Sequence, residues 1–425
     1  MIQKNYVQEL RKRGLLSEVI PNTEEYLNTN KSTGYVGFDP TAVSLHIGSL
    51  LPIMLLVHFQ KAGHQPIALV GGATGMIGDP SGKSNERNLL SEEILQKNIA
   101  GIKKQLEKFL DFEHKENPAQ IVNNYDWTKN FSFLDFLRDV GKYLTVNYMM
   151  AKDSVKKRLE GDSGISFTEF SYQLLQGYDF LHLYETKNCK IQMGGSDQWG
   201  NITTGTELIS KKANGKAYAL VCPLMTKADG TKFGKSEGGN IWLDPELTSP
   251  YQFYQFWLKV NDADLPKLFR FYTLLEVEEI EKLEEEHKNN PNALKKILAD
   301  DITARVHSQQ DVENAQKASA LLFKGSQEDF ENTDEKTLKE ILADVPQKSF
   351  THSAFQDFET IVDWLSNLLD TSKGEIKKLI KGGGISVNRE KITEQQAQSK
   401  PNFKAIKNKY YLVKKGKEYF VTEIV

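Results

Sequence analysis

Two short stretches carry residues suited to holding phosphate, and they lie about 190 positions apart. The first, "YVGFDPTAVSLHIGSLLP", runs from Tyr35 to Pro52 and centres on His46-Ile47-Gly48. Pro52 has no N–H and fits only a first helical turn, which predicts a helix start near Gly48 or Ser49. His46 then stands at a helix N-terminus, where unpaired N–H groups and the positive dipole end favour phosphate. Gly48 puts no side chain above that turn, so a phosphate or a flat base can approach the backbone. A histidine that merely caps its own helix is the alternative at this point. The second stretch, "ADGTKFGKSEGGN", sets Lys232 and Lys235 either side of Gly234 in a glycine-rich loop. Such a loop is expected to close over a ligand and is basic enough to meet phosphate oxygens.

A third set is polar rather than basic. Tyr172, Gln176 and Asp179 stand at i, i+4 and i+7, so on a helix all three share one face. The glycine-rich turn "VGGATGMIGDPSGKS" (residues 70–84) fits neither obvious nucleotide signature. A P-loop needs four residues between its glycine and Gly-Lys-Ser, and Gly78 and Gly82 enclose three. No G-x-G-x-x-G is present there either.

These residues need a scaffold that brings distant segments together. "GYVGFDP", "QPIALVGG", "AQIVNNYD", "CKIQMGG" and "YALVCPLM" read as buried strands, with amphipathic stretches such as 91–111 between them. That alternation predicts an α/β fold with a Rossmann-like, doubly wound parallel sheet over residues 1–245. A helical insertion, about 127–165, has an apolar front half suited to a partner subunit or to ordinary core burial. Helices dominate residues 246–325, a polar and partly ordered connection is expected at 326–354, and residues 355–425 form a small α+β block. There "IKKLIKGGGISVNREKI" predicts a basic helix closed by glycines and followed by a strand.

The 425 residues carry a formal charge of −3. From Thr371 onward 13 Lys+Arg face 5 Asp+Glu, a local +8 that leaves −11 for the rest. A basic tail block on an acidic body is the arrangement expected of a protein that turns one face to nucleic acid. Two cysteines, Cys189 and Cys222, lie too far apart in sequence for a C-x-x-C motif, which argues against a zinc site or a disulfide framework. No carboxylate cluster is spaced as a dedicated metal site. Without an h-region or a long apolar run, a cytoplasmic protein is expected.

"HIGS" resembles the HIGH motif of class I aminoacyl-tRNA synthetases, and "KFGKS" resembles their KMSKS motif. "FSYQLLQGYDF" (residues 170–180) and "QMGGSDQWGN" (residues 192–201) narrow the resemblance to the bacterial-type tyrosyl-tRNA synthetase family. It spans essentially the whole chain, the helical middle resembling that family's anticodon-side domain and the tail its S4-like RNA-binding module.

The resemblance implies a function: activation of L-tyrosine with ATP, Mg²⁺ arriving with the nucleotide, and transfer of tyrosine to tRNA(Tyr). It implies no protein-bound cofactor, and a homodimer. Thr41, His46, Lys232 and Lys235 would serve the phosphates. Tyr35 and Asp179 would meet the phenol, Asp79, Tyr172 and Gln176 the α-ammonium, with Gln192 nearby. Gly37, Asp39, Gly48, Gly195, Asp197 and Gln198 would hold the adenylate, while Lys83 and Arg87 are candidates for pyrophosphate or tRNA contact. Ser49 stands where the motif has its second histidine and cannot carry that residue's charge. A tryptophanyl relative and a HIGH-type nucleotidyltransferase remain the alternatives.

Overall fold

The computed structural model describes residues 5–78, 91–160, 164–226, 230, 233–236, 239–343 and 345–425. The chain divides into two compact units, Met1–Leu247 with Lys259–Val306 and Thr248–Leu258 with His307–Val425. The helical stretch expected at 246–325 is therefore shared between them.

The first unit is built on six strands: β1 (Glu18–Val19), β2 (Thr33–Phe38), β3 (Gln65–Val70), β4 (Gln120–Asn123), β5 (Cys189–Gly195) and β6 (Tyr218–Cys222). Their order is β1-β6-β5-β2-β3-β4. All pairings are parallel except β1 on β6. Continuous apolar runs suit strands covered on both faces, and β3 and β6 are buried almost throughout. The order turns in opposite directions from β2 and β5, so the carboxyl ends of these neighbours flank a topological switch point, the place where doubly wound sheets bind ligands.

Helix α1 (Leu50–Lys61) follows β2 and is apolar nearly all round, with Leu50, Leu51, Ile53 to Phe59 buried. A helix of that kind has no solvent face and must lie inside the unit. One 3₁₀ turn, Ile47–Ser49, precedes it. After β3 comes the single turn α2 (Thr74–Ile77), and α3 (Glu92–Leu106) is capped by Ser91. The long helix α4 (Phe167–Lys187) starts at a capping box between Ser166 and Glu169 and stops at Asn188 in the left-handed conformation. Its partner α5 (Trp199–Ala213) follows β5. A short hairpin, β7 (Lys235–Ser236) and β8 (Gly239–Asn240), ends the β-structure of this unit.

The second unit carries a five-stranded sheet of β9 (Gln347–Phe350), β10 (Ile385–Val387), β11 (Glu390–Lys391), β12 (Tyr410–Lys415) and β13 (Glu418–Ile424), in the order β11-β10-β12-β13-β9. Trp364 is buried in its core and donates from Nε1 to Thr422 Oγ1 at 2.9 Å. The basic segment forms the helix Lys373–Lys381, ended by glycines before β10. Residues 326–354, expected as a partly ordered connection, instead hold the helices Gln327–Asn332 and Glu335–Ala343 and strand β9. Their exposed faces are polar, but Phe330, Leu338, Ile341 and Leu342 are buried and tie them down.

Among the described residues no helix is long and apolar enough to cross a membrane, and no group of three or more His, Cys, Asp or Glu side chains could hold a metal ion.

Candidate active site

The crevice at the carboxyl ends of β2 and β5 gathers most of the sequence candidates. Tyr35 on β2 and Gln192 on β5 are direct neighbours in the parallel register, so their side chains lie on one face of the sheet. Both are buried, and the Tyr35 hydroxyl and Gln192 Oε1 have no hydrogen-bond partner among the described residues. Buried polar atoms are nearly always paired, so two orphans side by side mark a place where a polar ligand group completes the site. Burial and the neighbouring Asp179 hold the Tyr35 phenol well above its ordinary pKa, so it stays a neutral donor.

Asp179 comes from α4, one turn beyond the partly buried Gln176. Its carboxylate accepts from Asn124 Nδ2 at 2.9 Å and from Trp127 Nε1 at 2.8 Å. Burial raises its pKa to about 7, against the lowering effect of those two donors and with a further push from the charge of Asp39. Tyr172, two turns earlier on the same helix face, donates to Asp39 Oδ2 at 2.9 Å. Asp39 also accepts from Thr74 Oγ1 at 3.0 Å. The helical stripe thus faces the crevice rather than water.

The mouth is made of turns. Thr41, His46 and Asp197 are exposed, and Thr41 donates its N–H to Asp39 O at 2.9 Å. His46 Nδ1 accepts from the Gly48 N–H at 3.0 Å, which in a neutral ring puts the proton on Nε2, a donor. The histidine therefore caps the helical turn and offers a hydrogen at once. A Cβ on Gly48 would stand 2.8 Å from His46 Cε1, so only glycine lets the ring fold back this way. Ser49 precedes α1 in helical conformation and makes no side-chain cap. Gly37 at the end of β2 is exposed with little above it. Across the crevice, Gly195 ends β5, and Asp197 and Gln198 form the 3₁₀ turn entering α5, where Gln198 Oε1 accepts from Asn201 Nδ2 at 3.3 Å.

The His-Ile-Gly turn and the segment around Gly234 to Leu243 meet in space. Ile47 donates its N–H to Ile241 O at 2.9 Å, Leu243 donates to Leu45 O at 2.9 Å, and His46 bridges to Trp242. Gly234 has φ +90°, and any side chain there would strike Ile47 Cγ2. The lysine loop is therefore anchored through Gly234 on the middle residue of His-Ile-Gly. Phe233 is buried and stacks on Tyr272 with ring centres 6.1 Å apart. Lys235 lies on β7, its α-carbon paired with Asn240. Asp79, Lys83, Arg87 and Lys232 fall outside the described residues.

Three residues at the site escaped the sequence: Thr74, Asn124 and Trp127. A signal was present, because "NNYDW" concentrates amide, phenol and indole groups at the carboxyl end of β4, where a doubly wound sheet places its ligands.

Known proteins resemble this chain over nearly its whole length. Residues 27–324 match the family "tRNA synthetases class I (W and Y)", and residues 337–422 match the "Tyrosine--tRNA ligase SYY-like C-terminal domain". The chain is 58% identical over 424 residues to the tyrosine–tRNA ligase of Cytophaga hutchinsonii, covering 98% of each. It is 57% identical to that of Bacteroides thetaiotaomicron, over 98% of this chain and 99% of the relative. Among solved structures, a C-terminally truncated mitochondrial tyrosyl-tRNA synthetase from Aspergillus nidulans superposes with a TM-score of 0.67 at 29% identity, covering 76% of this chain and 95% of that one. With a parallel-sheet crevice and relatives matching over 98% of its length, the chain belongs to the tyrosine–tRNA ligase family of class I tRNA synthetases.

Proposed function

We propose that this chain activates L-tyrosine with ATP to tyrosyl-adenylate and pyrophosphate, then transfers tyrosine to the 3′-terminal ribose of tRNA(Tyr). The observation that carries the substrate is the orphaned pair, the Tyr35 hydroxyl and Gln192 Oε1, beside the buried carboxylate of Asp179. A phenol entering there accepts from Tyr35 and donates to Asp179. At the other end, Asp79, Tyr172 and Gln176 hold the α-ammonium. An indole N–H offers one donor and no acceptor, which suits this pair less well than a phenol.

The first reaction is attack by the amino acid's own carboxylate on the α-phosphate of ATP. The protein supplies no nucleophile, and its contribution is position and charge stabilisation. Gly37, Asp39, Gly48, Gly195, Asp197 and Gln198 seat the adenylate. Thr41, His46, Lys232 and Lys235 donate to phosphate oxygens, with Lys83 and Arg87 assigned to pyrophosphate or the tRNA end. Mg²⁺ travels with ATP as part of the substrate. Ser49 contributes at most a neutral hydrogen bond.

Two partner surfaces complete the proposal. The basic block after residue 355 takes tRNA. The insertion exposes Phe133, Leu134, Leu137, Val146 and Met150, a solvent-facing apolar group of the kind that marks a protein interface, which supports a homodimer. The chain acts in the cytoplasm. Amino-acid-dependent pyrophosphate exchange against all twenty amino acids tests the assignment. Tyrosine alone should support it, and exchange with tryptophan but not tyrosine would overturn the substrate.

A further inference from the structure

The two ends of the tyrosine site are joined by a run of hydrogen bonds that no sequence motif contains. At one end Asp39 accepts from Tyr172 on Oδ2 (2.9 Å) and from Thr74 on Oδ1 (3.0 Å). At the other, Asp179 accepts from Asn124 on Oδ2 (2.9 Å) and from Trp127 on Oδ1 (2.8 Å). Between the carboxylates Asn124 Nδ2 also donates to Thr74 Oγ1 at 3.1 Å.

The directions are fixed. Asn124 Oδ1 accepts the N–H of Ala73 at 2.7 Å, so the amide cannot flip, and its two hydrogens go to Thr74 and Asp179. The Thr74 hydroxyl receives one of them and sends its own hydrogen to Asp39. Asn124 is fully buried and Thr74 nearly so. The spacing is also cleared by design of the turn: a side chain on Gly71 would collide with both Thr74 Oγ1 and Asp39 Oδ1.

We propose that Thr74, through Asn124, is a positioning residue that couples Tyr172 at the ammonium end of the site, held there by Asp39, to the phenol end at Asp179. This rests on the assignment of the crevice to tyrosine. Thr74 need touch no reacting atom. When an ammonium group settles against Tyr172, the Tyr172 hydroxyl binds Asp39 more tightly, Asp39 pulls less on the Thr74 hydrogen, Thr74 becomes a weaker acceptor for Asn124, and the hold on Asp179 follows. Hydrogen bonds in a buried chain polarise one another, and the same chain fixes the distance between the carboxylates. A substrate must then satisfy both ends together.

The test compares Thr74→Val, which keeps shape and loses the hydroxyl, with Thr74→Ser, which keeps the hydroxyl. Tyrosine and phenylalanine are titrated against each full-length protein by equilibrium dialysis. These ligands share the ammonium end and differ only at the phenol. Thr74→Val should weaken tyrosine about tenfold and phenylalanine about twofold, so the preference for tyrosine shrinks about fivefold, the scale of one buried hydrogen bond. Thr74→Ser should restore the preference. A simple structural defect would weaken both ligands alike. Equal losses, or a Thr74→Ser protein as impaired as Thr74→Val, would overturn the coupling. If Thr74→Val does not fold, Thr74→Ala is read in the same two titrations by the same criteria. A native protein without preference for tyrosine would instead overturn the assignment of the site.

Discussion

The deep end of the crevice and its mouth are built from different material. Tyr35, Gln192, Asn124 and Asp179 sit at 1%, 2%, 0% and 3% exposure on strand, loop and long helix, with Asn124 and Asp179 held by hydrogen bonds before any substrate arrives. Thr41, His46 and Asp197 are exposed on turns. The deep end is a preset gauge, and its residues act by leaving a mismatched side chain with unpaired buried groups. On the proposed function the mouth receives the nucleotide, and its residues act on a charge that appears only as the reaction proceeds.

If that contrast is right, substitutions at the two places fail in different ways. Asp179→Ala should give the largest effect, about a thousandfold loss in kcat/KM for tyrosine in pyrophosphate exchange, since truncating a buried, hydrogen-bonded charge costs several kcal/mol. Saturating tyrosine should recover much of it. His46→Ala should lower kcat about a hundredfold and leave the KM for tyrosine within about twofold, as expected for one donor lost to the transition state. A large rise in tyrosine KM with His46→Ala would erase the distinction between the regions.

Gly234→Ala sharpens the comparison from outside both. It forces a side chain into φ +90° and against Ile47 Cγ2. The strain, on the order of 1–3 kcal/mol, must be relieved by moving the lysine loop or the His-Ile-Gly turn. Expected is a fall in kcat of about thirtyfold with unchanged tyrosine affinity, measured by exchange and by dialysis side by side.

The contrast also explains what the sequence disclosed. Strands β3 and β6 were legible because parallel strands covered on both faces are continuous apolar runs, and β2, β4 and β5 through short apolar stretches bounded by glycine, asparagine or aspartate. β1 was not, since two residues, Glu18 and Val19, hold no pattern. Residues 326–354 misled because a polar composition hides a few buried apolar residues, Phe330, Leu338, Ile341, Leu342 and Val345. In the site, Tyr172, Gln176 and Asp179 stood out through their period on one helix. Thr74 lies on the turn after β3 and Asn124 and Trp127 on the turn after β4, and only the folded sheet brings them to Asp39 and Asp179.

The smallest effect is the most direct probe of the deep end. Burial above all lifts the Asp179 pKa to about 7 from an ordinary 3.8. Between about pH 4 and pH 7 the folded, unliganded chain therefore keeps a proton that the unfolded chain has released. Its contribution to stability falls as pH rises through this window and levels off above about 7. Tyrosine affinity should run the other way, because an ionised Asp179 is the better acceptor for the phenol. From pH 8 to pH 6 the ionised fraction drops about tenfold, and the dissociation constant for tyrosine should rise by about the same factor. Phenylalanine, with no phenol to donate, should show little of this dependence. Dialysis of both ligands at pH 6, 7 and 8 separates the cases: parallel curves would place the titrating group at the ammonium end, and a bend in the tyrosine curve alone would place it at Asp179.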